Sequence, residues 1–173
     1  MILQRSVGKA LVALLVTIPA AAFLNSAPPT PKPAPQNLGG DGHCVPVGGT
    51  IMTNFGAVDP NTTLGPATGD LRGAVSATLM GAPQPGPNGT VLFHVQHHWV
   101  TDSGDNILFD PATATTIPIS QTLFAIVTYP THIIGGTGKF AGATGQLTNI
   151  GEADLIKGTA LRYSGQVCFA SSD

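Results

Sequence analysis

Hydrophobic and polar positions alternate with a period of two along much of the chain, and little helical periodicity competes with that pattern. From Gly69 to Met80, Leu71, Gly73, Val75, Ala77 and Leu79 fall on one face, while Arg72, Ala74, Ser76, Thr78 and Met80 fall on the other. That is the pattern of a strand with one buried face. After a loop from Gly81 to Gly89, a second run from Thr90 to Thr101 leads into Asp102-Ser103-Gly104-Asp105, a hairpin turn, and a short strand through Phe109. The threonine- and proline-rich stretch that follows reads as a loop. Leu123 to Tyr129 is an apolar β run, which Pro130 interrupts as a bend or edge position would require. A strand from about Thr144 to Ile156, a Lys157-Gly158 turn and a last strand from Ala160 to Phe169 complete the series. In that last strand Leu161, Tyr163, Gly165, Val167 and Phe169 share a face. Seven or eight antiparallel strands joined by short turns predict an all-β fold, a closed barrel or a sandwich.

Between the later runs lies the most specific stretch of the chain, His132 to Gly145, with glycine at 135, 136, 138, 142 and 145. Such a density of glycine predicts a structural turn where the backbone bends tightly or approaches another segment closely. A phosphate-binding P-loop is excluded, because Ile133 stands where the first glycine is needed and Phe140 follows Lys139 in place of Ser or Thr. Gly136-x-Gly138-x-x-Ala141 matches the loose dinucleotide pattern. However, a β segment follows where that motif needs a helix, and only about 30 residues remain for further parallel strands.

Gly135-Gly136-Thr137-Gly138-Lys139-Phe140-Ala141-Gly142-Ala143-Thr144-Gly145, with a strand ending near Asp154 and another ending at Cys168, resembles the barrel of allene oxide cyclases and dirigent proteins. The resemblance is strongest from Ile133 to Cys168, and Asp70 to Asp110 is compatible with it. It implies an eight-stranded antiparallel β-barrel, often trimeric, whose lumen binds apolar molecules and in some members guides a cyclisation without a cofactor. The shared turn is structural, and no catalytic residue of those enzymes falls on a matching motif here.

The ends of the chain supply an address. Met1 to Ala22 carries Arg5 and Lys9, an apolar run from Ala10 to Ile18, then Pro19 and three alanines. This is the order of a secretory signal, too short in its apolar part to span a bilayer. Cleavage after Ala22 takes the net charge from −2 to −4 with the loss of Arg5 and Lys9. Residues 23–42, with five prolines between Ser26 and Gln36, read as an extended tether, and residues 43–173 as one domain. A secreted or periplasmic location follows, with no membrane span after signal cleavage. Cys44 and Cys168 are the two cysteines of an exported chain and are expected to form one disulfide joining the first strand to the last; a metal site or a catalytic thiol is the rival reading. Charged residues at 9% offer no phosphate-binding face, so nucleic acid is not an expected partner.

Candidate chemistry centres on Val91 to Val100. Val91, Phe93, Val95, His97 and Trp99 form the more apolar face, opposite Leu92, His94, Gln96, His98 and Val100. Inside a barrel, desolvation would lower the pKa of His97 and keep its imidazole neutral, able to take or give a proton. The alternative is a core histidine bonded to backbone or to a neighbouring tyrosine. His94 and His98 lie about 13 Å apart on a strand, with His97 pointing the other way, so no shared metal ion is expected. Tyr163 is a further candidate, to bond a ligand or His97. Glu152 and Asp154 share a face and resemble a carboxylate pair, though a solvated rim suits them better, and no Gly-x-Ser-x-Gly elbow is present. The expected function is therefore a barrel that binds a small apolar molecule against Phe93, His97, Trp99 and Tyr163, with His97 and Tyr163 as catalytic candidates and no cofactor. The competing expectation is a non-catalytic surface or periplasmic protein whose barrel is filled by its own side chains. Missing aromatic girdles argue against a membrane barrel.

Overall fold

The computed structural model describes residues 43–56 and 58–171, so the expected signal segment and proline-rich tether lie outside the described residues. The strands in chain order are β1 (Cys44–Phe55), β2 (Thr62–Ala67), β3 (Gly73–Leu79), β4 (Gln84–Pro85), β5 (Val91–Thr101), β6 (Asn106–Phe109), β7 (Ala112–Pro118), β8 (Leu123–Thr128), β9 (Pro130–Gly136), β10 (Thr144–Asp154) and β11 (Gly158–Cys168). Every pairing is antiparallel, and the ladder closes because β11 pairs with both β10 and β1. The result is an eight-stranded antiparallel barrel, the architecture that the glycine-rich segment's resemblance implies. Two of its eight positions are each filled by two strands end to end, β6 with β7 and β9 with β8, while β4 adds a short edge to β5.

Closure removes the open edges that a flat sheet of these β-prone segments would present. It also sorts the side chains. Along β5, Phe93, Val95 and Trp99 are buried, whereas His94 and His98 are exposed. The inward set of the neighbouring strands joins them in one core, including Val75, Ile107, Leu147, Tyr163 and Val167.

Three details depart from the sequence reading. The strand expected from Gly69 begins at Gly73. Gly69 turns with a φ of +90°, and Asp70 accepts a 2.8 Å hydrogen bond from the Gly48 N–H, so residues 68–72 fold across one end of the barrel while Leu71 stays buried. The stretch read as a loop after Phe109 holds β7, whose inward residues Ala112, Ala114 and Thr116 are small. Threonine favours extended backbone despite its turn-like company with proline. Finally, Gly135 and Gly136 lie in β9 and Gly145 in β10, so that the turn itself is confined to residues 137–143. Gly136 is needed for close approach, since a Cβ there would meet the Asn106 carbonyl oxygen and the Phe140 side chain. Gly138 turns with a φ of +52°, and the single 3-10 turn it opens carries Phe140 into the barrel, where that ring is fully buried.

Cys44 and Cys168 form a disulfide between paired positions of β1 and β11. This places the staple at the end where residues 68–72, 102–105 and 137–143 also lie.

Candidate functional site

The inward faces of the barrel enclose a cavity reaching from His97, Trp99 and Asn149 to Phe55, Leu79 and Leu155. The centre of a water molecule can move through about 70 Å³ of it, and the empty space measured to the atom surfaces, open solvent included, is about 760 Å³. Small side chains make this room: Thr63, Ala77, Ala114, Thr116, Ala153 and Thr159 all line it. Among the described residues, no Lys, Arg, Asp or Glu does.

His97 is brought to the wall by β5, opposite Ala77 of β3. On its other side the ladder loosens. Between the pairs Val95–Ala112 and His98–Leu108, Gln96 and His97 face three residues, Phe109, Asp110 and Pro111. The Gln96 amide spans the gap, donating to the Phe109 carbonyl at 3.0 Å.

A second break stands one position further round the barrel. Between Ile126–Gly151 and Pro130–Thr148, Val127, Thr128 and Tyr129 face only Asn149 and Ile150. One extra residue reverses the inward and outward alternation, so Ile126 and Tyr129 both point inward although they are three apart. Asn149 holds the break, its backbone and side-chain N–H groups each donating to the Tyr129 carbonyl at 3.0 Å.

These two breaks bring the Tyr129 hydroxyl within 2.6 Å of His97 Nε2. Burial alone pushes His97 down to about 4, because its charged form would lose its hydration, and the same cause raises the Tyr129 hydroxyl well above the usual phenol range. The imidazole is therefore neutral at physiological pH. Its Nδ1 is buried and has no hydrogen-bond partner; among the described residues it is the one buried side-chain polar atom so placed.

The other candidates sort cleanly. Phe93 and Trp99 line the cavity with His97, as their shared face on β5 requires. Tyr163 does not reach His97. Trp99 stands beside it, ring centroids 5.3 Å apart, and the Tyr163 hydroxyl donates to the Thr68 carbonyl and accepts the Leu71 N–H, both at 2.9 Å. The polar end of Tyr163 is thus engaged by the loop that covers the far end of the barrel, and Trp99 reinforces it by donating from Nε1 to the Leu71 carbonyl at 2.9 Å. Glu152 is exposed, and Asp154 accepts from the Ile156 and Lys157 N–H groups to shape the β10–β11 turn. His94 faces outward and pairs with Thr113. No cluster of metal-ligating side chains occurs among the described residues.

Solved structures similar to this chain include two dirigent proteins. The pterocarpan synthase dirigent protein GePTS1 shares 17% identity over 88% of this chain and 100% of its own, with a TM-score of 0.34. The pterocarpan synthase dirigent protein PsPTS1 shares 14% identity over 75% of this chain and 97% of its own, with a TM-score of 0.28. Neither the protein-family models nor the curated proteins match.

Tyr129 is the residue that sequence reasoning missed. Strict alternation from Phe124 and Ile126 sends it outward, and the signal that corrects this is Pro130, which marks a break whose direction is set by three-dimensional pairing.

Proposed function

We propose that the protein is an extracytoplasmic barrel that holds a small apolar molecule in its lumen and, through the His97–Tyr129 pair, serves a cofactor-free cyclisation or isomerisation. The single observation that carries this reading is a lumen walled by apolar and small side chains in which, among the described residues, the one unpartnered buried side-chain polar atom belongs to a neutral histidine. Pockets of this kind, apolar with a few placed polar groups, are where small ligands are buried and oriented. The Cys44–Cys168 disulfide is consistent with an oxidising compartment.

A neutral imidazole hydrogen-bonded to a phenol suits general acid–base work, since His97 can exchange one proton with a bound molecule while Tyr129 holds the ring. The filled-barrel alternative describes the Tyr163 end of the molecule, where Phe140, Leu147 and Val167 leave no room, but not the His97 end. The test is native mass spectrometry of protein prepared gently from its own host, with organic extraction of what copurifies. A stoichiometric apolar molecule, displaced by substitutions at Phe93 or Ala114, is expected. A clean protein mass from several growth conditions, together with no uptake of added apolar molecules, would overturn the proposal in favour of a structural role.

A further inference from the structure

Resting on the reading of the lumen as a ligand site, we propose that its occupant carries an uncharged oxygen acceptor, best met by a ketone or aldehyde carbonyl, which pairs with the N–H of His97 Nδ1.

A neutral imidazole carries one N–H and Tyr129 one O–H, and only one hydrogen lies in the 2.6 Å contact between them. Suppose Nε2 carried the imidazole hydrogen and donated it to the phenol. The Tyr129 O–H would then have no acceptor, since that hydroxyl makes one hydrogen bond among the described residues, and the Nδ1 lone pair would stand unpaired as well. If instead Tyr129 donates to Nε2, the phenol is satisfied and one group is left over, the Nδ1 N–H. The second arrangement leaves fewer buried polar groups unpaired, and unpaired groups are costly. It leaves the Nδ1 N–H of this cavity-lining residue as the donor that an occupant of the lumen can satisfy.

The surroundings define the acceptor's class. His97 lines the cavity, and its neighbours there, Ala77, Phe109 and Trp99, offer apolar surface at the ring. Nδ1 itself is covered, so a partner meets it through a small turn of the ring about its soft outer torsion, in which the Tyr129 hydroxyl must follow Nε2 to keep their contact. A carboxylate or phosphate would be buried without a countercharge, because no lysine or arginine among the described residues lines the wall. An apolar molecule with a neutral acceptor satisfies the donor and still fills the lumen. It would enter with its oxygen leading, since His97 lies deep and Phe55, Leu79 and Leu155 lie at strand ends.

The experiment compares three molecules on one ring skeleton, p-menthane, menthone and p-menthane-3-carboxylate, using the fluorescence of Trp99, the chain's one tryptophan, as the reporter. Menthone is expected to bind about tenfold more tightly than p-menthane, with the carboxylate weakest. In the His97→Phe, Tyr129→Phe double variant, which leaves no phenol unpaired, menthone and p-menthane should bind within about twofold of each other. Imidazole nitrogen NMR of the unsubstituted protein gives a readout independent of that variant's folding: Nδ1 should be the protonated nitrogen and should shift with menthone but not with p-menthane. Equal affinities of menthone and p-menthane, a preference for the carboxylate, or a protonated Nε2 would each overturn the acceptor proposal while leaving an apolar ligand site standing. Binding of neither p-menthane nor menthone would overturn both.

Discussion

The two ends of this barrel share their strands and their alternation, yet one is solid and the other hollow. At the end stapled by Cys44–Cys168, the large inward side chains Tyr163, Phe140, Ile107, Leu147 and Val167 are at most 2% exposed. The covering loop is tied down by Tyr163 and Trp99. At the other end the inward positions include Thr63, Ala77, Ala114, Thr116, Ala153 and Thr159, whose side chains are too short to meet across the lumen. The difference teaches that closing a sheet into a barrel of this size does not decide whether the barrel is filled. Side-chain volume decides it, position by position. Packing is thus concentrated at the stapled end, and the hollow half is continuous with a solid one.

Perturbations at the two ends should therefore separate. The largest effect is expected from reducing the disulfide, whose loop spans 124 residues of sequence. Its loss should lower the unfolding free energy by up to about 5 kcal/mol in the chain-entropy picture, read from urea midpoints with and without reductant. Next, Phe140→Ala should cost about 3 to 5 kcal/mol, because a packed ring leaves a cavity the solid end cannot collapse. Phe93→Ala, whose ring borders existing empty space, should cost only about half as much while enlarging the lumen and changing the size of molecule it accepts. Equal costs at the two positions would erase the contrast.

The third effect depends on pH. His97 has an unfolded value of 6.5 and is pushed down to about 4 in the fold, so between those values the unfolded chain binds a proton that the folded one refuses. Stability should be full above about pH 6.5, decline as pH falls toward about 4, and lose at most about 3 kcal/mol from this group before levelling. His97→Phe should flatten that part of the profile, and an unchanged slope would remove His97 from the account. The smallest effect is Tyr163→Phe. It strands the Leu71 N–H and the Thr68 carbonyl at the solid end for about 1 to 3 kcal/mol and should leave the binding of apolar molecules unaltered.

Most of the wall was legible from residues alone. Strict alternation on β5 places Phe93, His97 and Trp99 together, and the spacing of Cys44 and Cys168 toward the ends of the domain anticipates their pairing. What alternation cannot reveal is depth. Trp99 and Tyr163 share the inward face with His97, but nothing in the period says that the loop at residues 68–72 will claim the Tyr163 hydroxyl. Nor does β7 announce itself, because Ala112, Ala114 and Thr116 are small for a reason visible only across the lumen. The glycine segment was legible as a turn, yet its end positions belong to strands, since glycine serves close packing within a ladder as readily as it serves a bend.

The inserted residue before Pro130 has a wider meaning for how this sequence can change. Tyr129 faces inward by parity, so its place beside His97 depends on how many residues separate it from Ile126 as much as on their identities. Val127 and Thr128, both exposed, are open to exchange for other side chains with little consequence. Removal of either would turn the phenol out to solvent and leave the imidazole alone in the lumen. Substitution and deletion at the same two sites therefore carry opposite risks, and the polar floor of the lumen is protected by arithmetic.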